Sequence, residues 1–324
     1  MTSGPRPGAV TSLREAVRAA VGTLSEAGIG SAEFDAVALA ACALGTTTSE
    51  VRRLMITGAP VPDGFDDLVA ERSRRVPLQH LTGKAGFRRL ELSVGPGVFI
   101  PRFETEQTAA LAIHHLRRTR DGATESGTNP GAVPGTVLVP NLGRSGPALS
   151  PGERMVVVDL CTGSGAIALA IKDEVPAAEV HGVELSELAL AWAVQNRDEL
   201  GLDVDLRLGD ATLAFPDLEG EADLVVSNPP YIPQGAIPND PEVRDHDPAV
   251  ALYGGSPDGL RIPLEVAVRA AVLVRPGGLL VMEHADVQGD LLSAALGTTG
   301  AWRDIQDHQD LNGRPRTVTA VRGT

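Results

Sequence analysis

The stretch "VVVDLCTGSGAIALA", residues 156–170, has the order of a buried strand, a glycine-rich turn and a helix. Gly163 and Gly165 lie in the turn, where the absence of a side chain lets a ligand approach the backbone closely. The stretch has neither the G-x-G-x-x-G spacing of a dinucleotide site nor the G-K-[ST] ending of a P-loop. It therefore predicts an α/β fold with a ligand at this turn, and that ligand is not expected to bind through a pyrophosphate.

Similar units follow along the chain, as short apolar runs alternate with helical stretches such as 166–171 and 188–196. Near-continuous apolar strands that alternate with helices are typical of a parallel sheet covered on both faces. A last strand is expected over 317–321. The predicted parallel strands include residues 156–158, 180–183, 204–208, 224–226 and 279–282.

Acidic residues follow three successive predicted strands. Asp159 ends the first, Glu184 ends the second, where a carboxylate can accept both ribose hydroxyls, and Asp210 ends the third, where it could meet an adenine amine. Any one of these acids could instead cap a helix, but three at successive strand ends favour a ligand site. Together they predict a site for a nucleoside that carries no phosphate.

The fourth strand runs into "SNPPYIP", residues 227–233, at the crevice position of an open sheet. Asn228 offers a side-chain carbonyl and Pro229 a backbone carbonyl, while Pro229 and Pro230 stiffen the turn that carries them. Tyr231 can stack on a planar amide or base. This motif predicts that a flat, conjugated NH₂ group binds here as the acceptor of a transferred group. No histidine is an obvious base for this NH₂ group, so we expect its nitrogen to lose a proton only after the transferred group has been attached.

The first 80 residues have helical periodicity and predict a small helical domain, residues 1–80. Helices are expected over 11–27, with Thr11 or Ser12 as N-cap, over 31–44 up to Gly45, and over 65–76.

A β-hairpin linker is expected over 81–105, with its turn at Gly95-Pro96-Gly97. A helix should then run from Glu104 to about Arg118, in a catalytic domain of residues 106–324. Residues 119–152 contain seven glycines and five prolines with little periodicity, so a flexible insertion is predicted there.

Composition limits the function further. The 324 residues carry a net charge of −14, which argues against stable nucleic-acid binding, although residues 1–118 hold 14 basic and 12 acidic side chains and are nearly neutral. Cys42 and Cys161 are too few for a disulfide framework and lack zinc spacing, so no structural metal is expected. No stretch resembles a signal peptide or a membrane span, and we expect a cytoplasmic protein.

The glycine turn and the strand-end acids resemble those of class I S-adenosylmethionine-dependent methyltransferases, in which the turn passes the methionine part and the second acid holds the ribose. Asn-Pro-Pro-Tyr resembles the signature of methyltransferases that act on adenine amines or glutamine amides. The resemblance implies a Rossmann-like, mostly parallel seven-stranded sheet and S-adenosylmethionine as cofactor, with S-adenosylhomocysteine as product. The cofactor residues are then Asp159, Cys161, Thr162, Gly163, Ser164, Gly165, Glu184, Asp210, Ala211 and Asn228, and the acceptor residues are Asn228, Pro229, Pro230 and Tyr231.

A closer resemblance extends over most of the chain. The segments at 77–106, 243–260, 283–289 and 310–316, together with the two motifs above, are similar to those of the peptide-chain release factor glutamine methyltransferases of the HemK/PrmC type. Two positions depart from the family pattern: Cys161 lies where glycine is common, and Phe103 replaces a proline of the linker.

This resemblance implies that the acceptor is the glutamine of the Gly-Gly-Gln loop in bacterial release factors, gripped by the N-terminal domain. A ribosomal-protein glutamine methyltransferase, a nucleic-acid adenine methyltransferase and a non-catalytic nucleoside-binding module are the alternatives.

Overall fold

The computed structural model describes residues 12–121 and 154–324. The described helices are α1 (Leu13–Glu26), α2 (Ala32–Leu44), α3 (Thr48–Thr57), α4 (Phe65–Ser73), α5 (Leu78–Thr82), α6 (Thr105–Asp121), α7 (Ala166–Glu174), α8 (Glu187–Leu200), α9 (Pro241–His246), α10 (Ala249–Leu252), α11 (Arg261–Leu273) and α12 (Gly289–Thr298), with a 3₁₀ turn at Pro216–Leu218. The strands are β1 (Lys84–Phe87), β2 (Leu90–Ser93), β3 (Met155–Leu160), β4 (Ala178–Glu184), β5 (Val204–Leu208), β6 (Ala222–Ser227), β7 (Val274–Glu283), β8 (Trp302–Gln309) and β9 (Pro315–Arg322).

The chain divides into two compact units. Within the described residues, the helical unit contains 12–84 and Pro238–His246, and the sheet unit contains the rest. The helical unit overlaps the domain predicted over 1–80, but no sequence pattern indicated that Pro238–His246 would join it.

The helical unit packs α1 to α5 around an apolar core that includes Leu13, Leu39 and Phe65. Ser12 caps α1, as predicted, because its hydroxyl accepts from the Glu15 amide. The helix predicted to reach Val76 ends at Ser73. Val76 precedes a proline, which disfavours helical backbone, so that part of the prediction is wrong.

A buried ion pair holds α9 within this unit. Arg72 is only 6% exposed, and its guanidinium donates to Asp35 Oδ2 at 2.7 Å and to Glu242 Oε1 at 2.8 Å. Arg75 donates to the other oxygen of Glu242 at 2.6 Å. Within the helical unit, α9 is thus fastened by Arg72 of α4 and by Arg75, which follows that helix.

The sheet unit is built on seven strands in the order β5-β4-β3-β6-β7-β9-β8. Strands β3 to β7 are parallel, and β9 runs antiparallel to both β7 and β8. The mostly parallel seven-stranded sheet implied by the resemblance is confirmed. From β3 the chain builds outward through β4 and β5, then returns to β6, so strand order reverses between β3 and β6. Open sheets bind ligands in the crevice outside such a reversal point.

Alternate residues of β3 face the two sides of the sheet. Val157 belongs to the core that contains α6 and α7 residues, whereas Val156 and Val158 belong to the core that contains α11 and α12 residues. Helices therefore cover both faces, which explains why the strands read as unbroken apolar runs.

The hairpin is present, but its turn is at Arg88-Arg89, with Arg88 at φ 54°, and not at Gly95-Pro96-Gly97. Residues 94–100 instead pack on α8, where a Cβ added to Gly95 would stand 2.5 Å from Trp192 Cζ2. The backbone does turn at Pro96 and Gly97, but this turn does not join the strands of the hairpin, so the predicted place of the hairpin turn was wrong. Gly95 instead provides close approach to an indole.

The helix α6 extends to Asp121 and includes the first three residues of the predicted insertion at 119–152. The rest of that insertion lies outside the described residues. Strand β8 was not predicted, because as an edge strand it is mostly polar and exposed. Among the described residues, no helix is long and apolar enough to cross a membrane.

Candidate active site

The register of the sheet aligns the ends of three neighbouring strands. Leu160 of β3 lies beside Val183 of β4 and Ser227 of β6. The next residue of each strand end is Cys161, Glu184 and Asn228. These three residues therefore lie side by side at the carboxyl edge of the sheet, where the strand order reverses. The fold brings together the glycine turn, the second acid and the Asn-Pro-Pro-Tyr turn, which are distant in sequence.

The glycine turn adopts left-handed backbone at three positions, with φ of 69° at Cys161, 57° at Gly163 and 85° at Gly165. Thr162 contributes two of the hydrogen bonds that hold the turn: its amide donates to the Val183 carbonyl at 2.9 Å, and its hydroxyl donates to Asp159 at 2.6 Å. A Cβ added to Gly163 would meet no atom within 4 Å, so open space lies beside this backbone. The turn is thus rigid and accessible at its centre.

Asp159 is fully buried at the end of β3. Its Oδ2 accepts from Thr162 and from the Ala168 amide at 3.1 Å, whereas Oδ1 has no hydrogen-bond partner among the described residues. Burial raises the pKa of Asp159 to about 7, with the nearby Glu184 charge acting in the same direction. A buried acceptor with a free oxygen is suited to a positively charged donor.

Glu184 is half-buried, and each carboxylate oxygen accepts one backbone amide: Oε2 from Gly163 and Oε1 from Ser186, both at 2.8 Å. It therefore joins the glycine turn to the start of α8. Carboxylate oxygens have further lone pairs, so two hydroxyl donors can still be accepted.

Asp210 is exposed, and its Oδ1 accepts from the amide and the hydroxyl of Thr212, both at 2.8 Å. It caps its own turn two residues after β5. Ala211 beside it is buried.

Cys161 and Ser164 complete the turn. Burial raises the pKa of the Cys161 thiol, and the charges of Glu184 and Asp159 raise it further, so the thiol stays protonated at neutral pH. Ser164 is buried, and its carbonyl accepts from Asn196 Nδ2 at 3.0 Å. Asn196 also bonds both backbone groups of Ser93 and so ties the turn to β2.

The Asn-Pro-Pro-Tyr turn presents two acceptors. The Asn228 side chain donates through Nδ2 to Thr105 Oγ1 at 3.2 Å. Neither Asn228 Oδ1 nor the Pro229 carbonyl accepts a hydrogen bond from residues 12–121 or 154–324. Pro230 follows as the second rigid residue. Two carbonyl oxygens are thus available to the two N–H groups of a primary amide or amine.

Tyr231 is fixed at both ends. Its hydroxyl donates to Glu283 Oε1 at 3.2 Å, and its carbonyl accepts from Gln288 Nε2 at 2.8 Å. Burial raises the pKa of Tyr231, so the phenol remains protonated.

Reasoning from the sequence missed Thr105, Glu283 and Gln288. One signal was available for Glu283, since it is another acid directly after an apolar strand. Thr105 lies within the family-like segment 77–106, but nothing there indicated a contact with Asn228, which is 123 residues away.

The residues present fit a cationic nucleoside such as S-adenosylmethionine. The free oxygen of buried Asp159 suits an ammonium group. The open backbone at Gly163 leaves room for a methionine chain. The carboxylate of Glu184 at the end of β4 can accept ribose hydroxyls.

Comparison with known proteins gives two matches to family models. The "Methyltransferase small domain" matches residues 136–240, and the "PrmC N-terminal domain" matches residues 15–83.

Relatives match nearly the whole chain. The release factor glutamine methyltransferase of Streptomyces coelicolor is 46% identical over 92% of this chain and 93% of its own. That of Mycolicibacterium smegmatis is 42% identical over 97% of this chain and 99% of its own. The chain belongs to the release factor glutamine methyltransferase family. It also matches a 4-amino-L-phenylalanine/4-methylamino-L-phenylalanine methyltransferase of Streptomyces pristinaespiralis, 35% identical over 97% of this chain and 96% of the other.

Membership of the release factor glutamine methyltransferase family agrees with the resemblance read from the motifs. The name of the last relative refers to an amino and a methylamino group on an aromatic ring, and the first of these is also a flat, conjugated NH₂ group.

Proposed function

We propose that the protein transfers the methyl group of S-adenosylmethionine to the side-chain amide nitrogen of a glutamine, in the Gly-Gly-Gln loop of a peptide-chain release factor. The observation that carries the proposal is the pair of open acceptors, Asn228 Oδ1 and the Pro229 carbonyl, at the edge of the sheet beside the glycine turn. Two acceptors match the two N–H groups of a primary amide. Family membership supports the same acceptor.

In this proposal the glycine turn, residues 161–165, holds the methionine part and Asp159 accepts its ammonium group. Glu184 accepts the ribose hydroxyls, while Asp210 and Ala211 lie toward the adenine. When bound, S-adenosylmethionine supplies an electrophilic methyl on sulfur.

Asn228 and Pro229 hold the acceptor amide by its two N–H groups, and Pro230 limits the movement of the turn. Tyr231 provides a planar surface against which the amide can stack. An amide nitrogen is a weak nucleophile because its lone pair is delocalised, so alignment is the main contribution the protein can make. Correct positioning can lower a barrier by roughly 7 to 11 kcal/mol.

The transfer forms a bond from nitrogen to carbon and breaks the bond from carbon to sulfur, which leaves S-adenosylhomocysteine. The amide nitrogen then loses one proton, which goes to water. No buried base is needed, because the nitrogen carries a positive charge once the methyl group is attached and is then far more acidic.

The helical unit is proposed to hold the release factor. Residues 1–118, which contain most of this unit together with the hairpin and much of α6, are nearly neutral, whereas the remainder of the chain is acidic. This charge is compatible with a protein partner whose surface is not strongly basic. A cytoplasmic location is expected for an enzyme of translation and remains a prediction.

The decisive experiment offers methyl-labelled S-adenosylmethionine in parallel to a release factor, to the same factor with Gly-Gly-Ala in its loop, to ribosomal protein, to DNA and to 4-aminophenylalanine. Label is expected on the intact factor and not on the altered one. Label on DNA alone, or on the small amine alone, would contradict the proposal.

A further inference from the structure

Gln288 lies directly before α12 and is only 2% exposed. Its Nε2 donates to the Tyr231 carbonyl at 2.8 Å and to the Asp258 carbonyl at 2.7 Å. Its Oε1 accepts from the Ala285 amide at 2.9 Å. The buried carboxamide therefore places its NH₂ group and its oxygen on backbone partners, and one of these partners belongs to the Asn-Pro-Pro-Tyr turn.

The backbone partners allow only one orientation of this carboxamide. A carbonyl only accepts a hydrogen bond and a backbone N–H only donates one, so a reversed Gln288 side chain would set oxygen against oxygen and N–H against N–H. The main chain of Gln288 is fixed as well, because its amide donates to the Ala285 carbonyl and its carbonyl accepts from the Leu292 amide of α12, both at 2.9 Å. Gln288 is thus a rigid support for the Tyr231 carbonyl.

A loop around Gly259 packs backbone to backbone against the chain at Tyr231. A Cβ added to Gly259 would stand 2.1 Å from the Tyr231 carbonyl oxygen and 2.8 Å from Gln288 Nε2. The Ile232 amide, next along the chain, donates to the Leu252 carbonyl at 2.8 Å. The loop and Gln288 therefore close around the same carbonyl group.

The prolines of the turn make this external support important. Pro229 and Pro230 have no N–H group, so hydrogen bonds from their own amides cannot hold the turn. The ring of Pro230 locks its φ angle, which leaves few rotatable bonds between the Pro229 carbonyl and the Tyr231 carbonyl. Holding the second carbonyl therefore limits the directions that the first can take. The Tyr231 hydroxyl donates to Glu283 Oε1 at 3.2 Å, so the ring is held at its far end.

We propose that Gln288 is a positioning residue for methyl transfer: by holding the Tyr231 carbonyl, it fixes the Pro229 carbonyl and the plane of the Tyr231 ring against the acceptor amide. This inference rests on the proposed function and goes beyond it, because Gln288 acts through Tyr231 and is not itself an acceptor contact.

The first test is Gln288→Met, which keeps the length of the side chain and removes its hydrogen-bonding groups. kcat should fall by up to about 100-fold, the cost of misplacing a reacting group by about 1 Å. The affinity for S-adenosylmethionine should not change, since within the described residues Gln288 has no hydrogen bond to the glycine turn or to Glu184. Single-turnover kinetics and calorimetric titration measure both, and an unchanged kcat would overturn the inference.

The second test, Gln288→Glu, keeps the shape of the side chain and makes the missing donor depend on pH. An ionised carboxylate donates to neither carbonyl, whereas the protonated acid donates to one of them. The kcat of this variant relative to wild type should therefore rise as pH falls from about 9 to about 6, the range in which deeply buried carboxyl groups gain a proton. The same ratio for Gln288→Met should stay level. A level ratio in both variants would overturn the inference.

Thr319→Val is the control for a loss of stability alone. Thr319 is also 2% exposed, and its hydroxyl lies 2.7 Å from His308 Nε2, in a hydrogen bond that joins β9 to β8. The variant should lower the free energy of unfolding and leave kcat unchanged. Equal losses of kcat in Thr319→Val and Gln288→Met, measured where both are folded, would show a general effect of stability and overturn the inference.

Hydrogen exchange tests the support without turnover. The amides of Ile232 and Gln234 each donate to a backbone carbonyl of the neighbouring loop at 2.8 Å. In Gln288→Met both should exchange at least about tenfold faster, as expected when a hydrogen bond that holds the local structure is lost, while the Val157 amide in β3 should not change. Unchanged exchange at Ile232 and Gln234 would overturn the inference. A wild-type enzyme that fails to methylate the release factor would contradict the proposed function alone.

Discussion

Trp192 lies so close to Gly95 that a single added carbon on Gly95 would stand 2.5 Å from the indole Cζ2. The Trp192 Nε1 also donates to the Pro96 carbonyl at 3.3 Å. The segment after the hairpin is therefore fixed against α8, the helix that carries Asn196 and its contact with the glycine turn.

Gly95→Ala should destabilise the protein by about 1 to 3 kcal/mol, the usual cost of overpacking a buried site, since a rigid indole cannot move aside. Denaturant unfolding would measure this. Gly22→Ala is the matched control: Gly22 lies exposed in α1 with nothing within 4 Å of an added Cβ. That control should stabilise by up to about 1 kcal/mol, and a neutral Gly95→Ala would contradict the packing.

Glu184→Ala should weaken the binding of S-adenosylmethionine by about 1.5 to 3 kcal/mol, the contribution of a hydrogen bond to a charged group. Calorimetric titration measures this directly. Glu187→Ala removes an exposed acid from the first turn of α8 and should leave affinity unchanged. Lower stability of Glu184→Ala with unaltered affinity would mean that Glu184 only fastens the Gly163 and Ser186 amides.

Asn228→Ala should retain cofactor binding and lose transfer, because the proposed cofactor contacts come mainly from other loops. We expect kcat to fall by about 100-fold or more, as alignment of the amide is lost. Single-turnover kinetics with the release factor, together with a cofactor titration, measure both effects. An equal loss of binding and transfer would argue against the role of Asn228 in holding the acceptor.

Asp159 should make stability depend on pH. Its pKa is raised from 3.8 to about 7 in the folded protein, so between these values the folded state holds a proton that the unfolded chain has released. Stability should therefore fall as pH rises from about 4 to about 7, by at most about 4 kcal/mol, and change no further above that. Asp159→Asn should remove this part of the slope. Unfolding curves at several pH values test it, and an identical slope in the variant would refute the assignment.

Cys161 should resist alkylation in the folded protein. Burial raises its pKa, and the thiolate is the reactive form, whereas Cys42 is exposed. Iodoacetamide at mildly alkaline pH should modify Cys42 first, and Cys161 only after unfolding, as peptide mass spectrometry would detect. Cys161 is half-buried, so modification of both cysteines at one rate would show that the pKa of Cys161 is not raised.

Much of the sheet unit was predictable because its central strands, such as β3 and β6, are buried along their whole length. Val156 to Val158 and Leu224 to Val226 can only be strands of a covered sheet when helical stretches alternate with them. The glycine turn and the acids at strand ends followed from the same pattern. Strand β8 was not predicted, because an exposed edge strand carries polar residues on both faces.

The position of the hairpin turn could not be predicted from the residues next to it in the chain. Gly95-Pro96-Gly97 has the composition of a turn, and the backbone turns at Pro96 and Gly97, but this turn does not join β1 to β2. Gly95 is needed for the contact with Trp192, nearly 100 residues away. Arg88, which takes the left-handed conformation at the actual turn, has no local signature.

The sequence by itself determined the α/β fold, the family and the motifs that define the site, because each depends on residues close together in the chain. Only the tertiary structure brought the Thr105 hydroxyl beside the Asn228 amide and joined Pro238–His246 to the helical unit. The physical reason is that hydrogen bonds and ion pairs act over about 3 Å in space, whereas these partners are separated by more than 50 residues along the chain.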